Sequence, residues 1–512
     1  METSTSPSKN VLYNPDLLGI ICWFLKDIKF LPFGTLGTNG NSLCALALTC
    51  HATCDTALDC LWHDISGMEP LLSIFPRAIS PSSNLPWIPP DPISDEIWAR
   101  FDRYSNRIRS FTLTASLGAL YSPTVPLRLA ERQEPLLPKL QKLRVEGFAD
   151  PSMLLPFLSS PLLDEVVIVF PSDIEADMAS MSIWTVGWKV PGLRSLTVEQ
   201  HFPSFPDDSI SVISNGGFSN LRQLRRLNIE TCPVDLTFLV QLSSSPHLAE
   251  LQVLVLQPGV GRPQRRLTQI AFPSLKSLQV AACASLMPSI LRLIRQGSLT
   301  HLVYQNFPPA SFGEDILGLA EFVPAFHAEI ASRFPSLISL TLDHSLHLAL
   351  EDSEELCELS RVSMHPLYDL SKLQTMIYYG MLCVDNDAVD FATSWPEIRS
   401  LFICRLHATS PTYGILAVLA KHCPLLTDLS IPITFPPKDV PLRDDGVFSH
   451  KLRIFHAFLE PIDCNASIAH YLDRMFPFLV SIEGGVGWDQ VRSIILDACQ
   501  PARRDQLQRL RE

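Results

Sequence analysis

Residues 138–145 read PKLQKLRV, and the same spacing of a proline, two leucines and a final aliphatic residue returns four more times along the chain. The returns read PGLRSLTV at 191–198, PSLKSLQV at 273–280, PSLISLTL at 335–342 and PLLTDLSI at 424–431. At the end of each phrase, two apolar residues flank one polar residue, which is the alternation of a short β-strand with one buried face. The proline has no backbone N–H and disfavours helix at the residue before it, so it separates a helix from the strand that follows. The chain is therefore predicted to be an array of stacked repeats, a class that usually binds other molecules.

Nine further segments keep this apolar pattern without the proline, centred on Phe111, Val166, Leu227, Leu251, Leu302, Met376, Leu401, Phe455 and Ile482. Together they make fourteen centres from Phe111 to Ile482, with a mean interval of about 28 residues. Individual intervals run from 23 residues (Leu143 to Val166) to 38 residues (Leu302 to Leu340), so the array is irregular. The spacing Leu-x-x-Leu-x-Leu at such a period resembles the leucine-rich repeats.

The predicted architecture is α/β, a solenoid whose short strands form a curved parallel sheet and whose helices lie on the convex side. Strands stack about 4.8 Å apart whereas helices need about 8–10 Å, so the helical side splays and the sheet side becomes concave. The residue between the two apolar positions of each strand then faces the concave side. This row is the predicted substrate-binding surface, and its alternative is a merely solvated face. The named members are Arg144, Thr197, Asn228, Gln252, Gln279, Thr341, Phe402 and Ser430.

A second pattern lies near the N-terminus and predicts three short helices. Asn14 suits an N-cap, Pro15 suits the first helical position and Asp16 complements the positive end of a helix dipole. Five apolar residues then fall on one stripe of this helix: Leu17, Leu18, Ile21, Cys22 and Leu25. Residues 42–54 and 56–63 predict the second and third helices.

These three segments resemble an F-box, of the type found in basidiomycete F-box proteins. The opening Leu-Pro-x-Glu-Ile-Leu phrase of that family is matched by residues 14–18, with Asn14 in place of the usual apolar residue. Its central Leu-x-x-Leu-x-x-x-Cys helix is matched by Leu43, Leu46 and Cys50, and its closing Leu-x-x-Leu-Trp by residues 58–62. The link from Leu25 to Leu43 is longer than usual. The order of F-box, linker and leucine-rich repeats strengthens the resemblance.

The resemblance implies a substrate-recognition subunit of a Skp–cullin–F-box ubiquitin ligase. The F-box would bind a Skp-type adaptor and, through it, a cullin, while the repeats would hold a protein substrate of unknown identity. The implied adaptor-binding residues are Pro15, Leu17, Leu18, Ile21, Leu43, Leu46 and Trp62. The alternative is a repeat scaffold outside any ligase, in which the same helices cap the array and their apolar face packs near Phe101 and Phe111.

The predicted organisation is a leader at 1–12, the F-box-like module at 13–66, a proline-rich linker at 67–100, the repeat arc at 101–489 and a capping helix at 490–512. Apolar residues make up 46% of the 512 residues and charged residues only 18%, which is typical of an ordered chain. The net charge of −13 argues against nucleic-acid or anionic-membrane partners. No run of eighteen apolar residues occurs, so we expect no membrane span. The apolar run at 17–25 lacks the basic approach and the small-residue cleavage site of a signal peptide, so we expect an intracellular protein of the cytoplasm or nucleus.

No motif of catalysis stands out in the sequence. Cys50, Cys54, Cys60 and His63 lack the paired Cys-x-x-Cys spacing of zinc sites, so no metal and no cofactor is expected. The glycine pairs near residues 259 and 485 lack the lysine of a phosphate-binding loop, and no nucleophile elbow appears. We therefore name no catalytic residue and expect that the chain is not an enzyme.

Overall fold

The computed structural model describes residues 14–27, 40–75, 93–114, 129, 132, 134–147, 151–171, 174, 176–200, 215–255, 272–306, 316–344, 364–379, 385–404, 412–435, 450–457, 462 and 465–500. The predicted leader at 1–12, half of the predicted linker (76–92) and residues 501–512 of the predicted capping helix lie outside these ranges. The domain boundaries given above stay predictions. The chain divides into two compact units, Met1–Cys232 and Pro233–Glu512.

The first unit opens with helices and continues as a parallel sheet. Its helices are α1 (Pro15–Asp27), α2 (Gly40–Thr49), α3 (His51–His63), α4 (Glu69–Leu72), α5 (Asp95–Ser105) and α6 (Ala176–Lys189). Its strands are β1 (Asp64–Ser66), β2 (Ser110–Thr114), β3 (Lys142–Glu146), β4 (Glu165–Phe170), β5 (Ser195–Gln200) and β6 (Arg226–Val234), which ends just inside the second unit. Short 3-10 helices occupy Pro151–Leu154 and Asn215–Asn220. Each strand pairs in parallel with the next one along the chain.

The second unit is a parallel sheet of the same kind. Its strands are β7 (Glu250–Val255), β8 (Ser277–Ala282), β9 (His301–Asn306), β10 (Ser339–Asp343), β11 (Thr375–Tyr379), β12 (Ser400–Cys404), β13 (Asp428–Ile431), β14 (Ile454–Ala457) and β15 (Ser481–Gly484). Its helices are α7 (Leu236–Leu242), α8 (Met287–Arg292), α9 (Ile316–Arg333), α10 (Asp385–Ser394), α11 (Ile415–His422), α12 (Asn465–Met475) and α13 (Trp488–Ser493). A π-helix at Ile494–Cys499 follows α13, and 3-10 helices occupy Ala284–Leu286 and His365–Asp369.

The strand centres predicted from the sequence form two buried rows in register. Phe111, Leu143, Val166, Leu196 and Leu227 are consecutive partners in the first unit. Nine centres do the same in the second: Leu251, Leu278, Leu302, Leu340, Met376, Leu401, Leu429, Phe455 and Ile482. All fourteen side chains are buried. The α/β solenoid of leucine-rich-repeat type is therefore the observed fold.

In four of the five phrases, the proline occupies the second position of a tight turn. The carbonyl oxygen of Val190, just before Pro191, accepts a hydrogen bond from the backbone N–H of Leu193 at 3.1 Å. The same bond, also 3.1 Å long, joins Phe334 to Leu337 across Pro335 and Cys423 to Leu426 across Pro424. Proline suits this place because its fixed φ matches the second residue of a turn. The turn ends each connection and aims the following leucine into the core.

The structure adds one strand that the sequence pattern did not predict. Asp64, Ile65 and Ser66 form β1, and Ile65 pairs with Phe111 in the same register as the other centres. The strand begins immediately after α3, at the end of the F-box-like segment. The last helix of that segment therefore runs directly into the first strand of the sheet.

Candidate functional site

The three N-terminal helices enclose a small apolar core of their own. Asn14 caps α1, since its Oδ1 accepts hydrogen bonds from the backbone N–H groups of Asp16 at 3.0 Å and Leu17 at 3.2 Å. The core consists of Leu18 and Cys22 from α1, Leu43 from α2, and Ala57 and Cys60 from α3. Burial raises the pKa of the Cys60 thiol to about 11, so this group stays protonated and acts as an apolar residue.

Helix α1 also presents apolar side chains on the face opposite this core. Leu17 is 43% exposed, Ile20 54%, Ile21 41% and Phe24 69%. Leu17 and Ile20, like Ile21 and Phe24, are three residues apart, and Leu17 and Ile21, like Ile20 and Phe24, are four apart, so the four side chains form a continuous stripe. We call them the α1 outer face. Leu48 of α2 is 87% exposed as well. A contiguous exposed apolar patch of this kind is typical of a protein-binding surface.

The predicted adaptor-binding residues divide between these two faces. Leu17 and Ile21 belong to the α1 outer face, whereas Leu18 and Leu43 are buried in the three-helix core and Leu46 packs against it. Pro15 is the first residue of α1. Sequence reasoning missed Ile20 and Phe24, although their spacing from Leu17 and Ile21 places them on the same stripe.

Trp62, the last predicted adaptor-binding residue, lies where the helices meet the repeats. Its ring packs on that of Tyr104 in α5, with ring centroids 4.7 Å apart. Arg107 reaches back to α3, where its Nη2 donates to Asp55 at 2.7 Å and its Nη1 pairs with Asp59. These contacts attach the helical module to the start of the sheet.

The predicted substrate-binding residues form one row on each unit, one position after the buried centres. In the first unit, Arg144, Thr197 and Asn228 belong to this row. In the second, it contains Gln252, Gln279, Thr341, Phe402 and Ser430. All are partly exposed except Ser430, which is buried. Val167, Val303 and Ile377 hold the same position in their strands, so they also belong to these rows, although they were not named from the sequence.

Arg144, on the row of the first unit, pairs with two carboxylates that lie two positions beyond the row on β3 and β5. The Arg144 guanidinium donates to Glu146 at 2.5 Å and to Glu199 at 3.4 Å. Burial lowers the pKa of Arg144, but these two carboxylates outweigh that effect and raise it overall. In the second unit, the amide of Gln252 donates to Gln279 at 3.1 Å. Cross-strand bonds of this kind restrain the polar side chains that they join.

Across the described ranges, no group of three or more His, Cys, Asp and Glu side chains is placed to hold a metal ion. Within the same ranges, no helix combines the length and apolar character needed to cross a membrane.

Comparison with known proteins gives distant structural matches. No protein-family model matches the chain, and no curated protein matches its sequence. The Rad7–Elc1 complex of yeast aligns over 94% of this chain and 90% of its own, with 14% identity and a TM-score of 0.35. An internalin (inlF) of Listeria monocytogenes aligns over 63% and 81%, with 16% identity and a TM-score of 0.31. Toll, in its complex with Spatzle from Drosophila, aligns over 76% and 52%, with 10% identity and a TM-score of 0.34. Likenesses this distant carry no functional argument.

Proposed function

We propose that this protein is the substrate-recognition subunit of a Skp–cullin–F-box ubiquitin ligase of the cytoplasm or nucleus. The N-terminal helices bind a Skp-type adaptor, which connects them to a cullin, and the strand rows bind a protein target. The chain itself performs no chemistry, and its partner subunits transfer the ubiquitin. The observation that carries the proposal is the exposure of the α1 outer face on a helix whose other face already fills a core.

The two faces of α1 differ in their exposure to water. Leu18 and Cys22 are buried among α2 and α3, so the module already has an apolar interior. The α1 outer face adds four large apolar side chains that the fold leaves in contact with water. A helix whose only task is to cap a repeat array carries a polar outer face, because that face stays in water. An apolar one supports a docking role, since burying it against a partner removes that surface from water.

A repeat scaffold outside any ligase is the second candidate, and the attachment of the module to the sheet favours it. Trp62 packs on Tyr104, Arg107 joins α3, and Ile65 extends the strand row. These contacts are those of a cap that protects the first strand of the sheet. They leave the α1 outer face open, and that face distinguishes the two candidates.

The deciding experiment is co-purification of the full chain with a Skp-type adaptor. We expect wild type to bind and the Leu17→Asp, Phe24→Asp double variant to lose roughly thirtyfold or more in affinity, as for central anchors of an interface. The matched control is Phe478→Asp with Val486→Asp, which places two charges at apolar positions that are 56% and 81% exposed in the second unit. Folding of every variant is checked by circular dichroism. Failure of folded wild type to bind, or equal binding by both double variants, would refute the ligase role.

A further inference from the structure

The strands of the second unit share an unusual charge composition. None of the nine described strands β7 to β15 contains a Lys or an Arg. Four acidic residues lie on them, namely Glu250, Asp343, Asp428 and Glu483. The strands of the first unit differ, because Lys142, Arg144 and Arg226 are among their residues. The strand surface of the second unit is thus acidic, in line with the overall net charge of −13.

Strands β9 to β12 carry a compact apolar and aromatic area on their open face. Val303, Thr341, Ile377 and Phe402 occupy equivalent positions on four consecutive strands and are all partly exposed. Tyr379 lies two residues beyond Ile377, and its ring centroid is 5.0 Å from that of Phe402, with a 55° angle between the ring planes. We call these five residues the aromatic patch. Neighbouring strands stand about 4.8 Å apart, so four strands give it a width suited to a few side chains of a partner.

A carboxylate stands at the edge of this patch. Asp343 is the register partner of Tyr379, and both side chains are partly exposed on the open face. Burial raises the pKa of Tyr379 and of Cys404, and the negative charge of Asp343 contributes to the rise at both groups. Asp343 therefore lies close enough to influence groups on β11 and on β12, the next two strands on one side of β10.

We infer that the aromatic patch with Asp343 is the binding position for a protein segment that presents an Arg or Lys beside an apolar side chain. Aromatic rings attract a cation over their faces, and a carboxylate at the edge supplies a charged hydrogen-bond acceptor. Val303 and Ile377 offer apolar contact for the aliphatic stem of such a side chain or for its neighbour. An acidic or phosphorylated segment would be repelled, because none of the described strands of this unit supplies a Lys or an Arg to pair with it. The inference rests on the proposed receptor role of the repeats and is independent of adaptor binding.

Selection from short random peptides displayed on phage, with the full chain as bait, tests the inference. Wild type is expected to enrich peptides with Arg or Lys next to an aliphatic or aromatic residue. Phe402→Ala and Asp343→Asn should each lower the affinity for the selected peptides roughly tenfold, which is within the range of cation–π and charged contacts. Asp343→Lys should instead enrich peptides with Asp or Glu. Asp428→Asn is the matched control, since it removes an equal charge from a strand position outside the patch, and it should leave the selection unchanged.

Three outcomes would overturn the inference: no enrichment by folded wild type, enriched peptides without a cationic residue, or the same peptides selected by Asp343→Lys. Adaptor co-purification on the same protein preparations separates this result from the proposed ligase role. Patch variants should still bind the adaptor, and the Leu17→Asp, Phe24→Asp variant should still select the cationic peptides. If folded wild type selects the cationic peptides but does not bind the adaptor, the ligase role is refuted and the inference about the aromatic patch still holds.

Discussion

The Nη2 atom of Arg107 donates a hydrogen bond to Oδ1 of Asp55 at 2.7 Å, across 52 residues of chain. The same guanidinium pairs with Asp59 and donates to the backbone oxygen of Asp55 at 3.0 Å. One side chain thus binds the middle of α3 to the segment just before β2. The Arg107 side chain is only 14% exposed, whereas the side chains of Asp55 and Asp59 are 76% and 63% exposed.

Replacing Arg107 by Ala should loosen α3 from the start of the sheet. We expect a loss of about 1 kcal/mol, because solvent screens the exposed carboxylates and much of the effect comes from the packed stem. Hydrogen exchange of the α3 amides should quicken, while exchange in the second unit stays unchanged. Arg107→Lys keeps the positive charge but lacks the planar guanidinium that reaches both aspartates. Its exchange rates in α3 should lie between those of wild type and Arg107→Ala. Unchanged exchange in α3 for both variants would mean that Trp62 and Tyr104 alone hold the contact.

Neighbouring residues of α1 should respond in opposite ways to truncation. Leu18 is 2% exposed in the three-helix core and Leu17 is 43% exposed. Leu18→Ala should destabilise the module by about 2–4 kcal/mol through the cavity it leaves, whereas Leu17→Ala should change stability by less than about 0.5 kcal/mol. Limited proteolysis within residues 14–63 is the measurement. Equal protection of both variants would contradict the assignment of the two faces.

Gly187 should tolerate no side chain. It faces Gly217 of the 3-10 helix, and a Cβ added at Gly187 would overlap the carbonyl oxygen of Gly217. A Cβ added at Gly217 would lie 2.7 Å from the backbone nitrogen of Trp184. Because both neighbours are backbone atoms, Gly187→Ala should cost roughly 2 kcal/mol or more.

Gly192 is the matched control for this prediction, since a Cβ there would meet nothing within 4 Å. Gly192→Ala should be neutral or slightly stabilising, because alanine restricts the unfolded chain. Urea denaturation compares the two variants. A loss for Gly192→Ala as large as that for Gly187→Ala would show that the close approach is not the cause.

His450 should make stability depend on pH. Its Nε2 donates to the backbone oxygen of Cys423 at 2.7 Å, and its Nδ1 accepts from the backbone N–H of Leu452 at 3.2 Å. This pattern requires the neutral ring. Burial lowers the pKa of His450 below its ordinary value of 6.5, and the bond to Cys423 opposes that effect only in part. The pKa of His450 is lower in the folded state than in the unfolded state. The neutral ring therefore contributes fully to the free energy of unfolding above about pH 6.5, and this contribution is lost as pH falls through the folded-state pKa.

The variant His450→Gln tests this dependence. Glutamine can still donate to Cys423 but does not titrate, and we expect it to be about 1 kcal/mol less stable than wild type at neutral pH. The difference should shrink as pH falls from about 7.5 to about 5, because only wild type must give up a neutral ring. Urea denaturation across that range is the measurement. Parallel stability profiles for the two proteins would exclude His450 as the cause.

The register of the strands could be predicted from the sequence almost completely, because burial of one face repeats at every strand. A leucine or another large apolar residue marks each centre, and a slip of one residue would turn that side chain to the open face. Ile65 escaped prediction for a physical reason. Its strand has only three residues, with polar Asp64 and Ser66 on either side and no proline turn before it, so the local pattern is too short to identify.

The candidate sites were only partly predictable. The period of a helix was enough to add Ile20 and Phe24 to Leu17, and the period of a strand was enough to add Val303 and Ile377 to their row. The contact of Trp62 with Tyr104 joins residues far apart in sequence, as does that of Arg107 with Asp55, and no local pattern encodes them. The pairing of Tyr379 with Phe402 likewise depends on which strands are neighbours, which only the fold defines.

The constant register within each unit has a consequence for how this protein can change over generations. Leu143 and Val166 are 23 residues apart, and Leu302 and Leu340 are 38 apart, yet both pairs are direct partners. A difference of fifteen residues is absorbed entirely in the connections, where extra length adds little loop-closure entropy. A gene encoding such a chain can therefore gain or lose codons between strands while the exposed row keeps its order, so partner choice can evolve one strand position at a time.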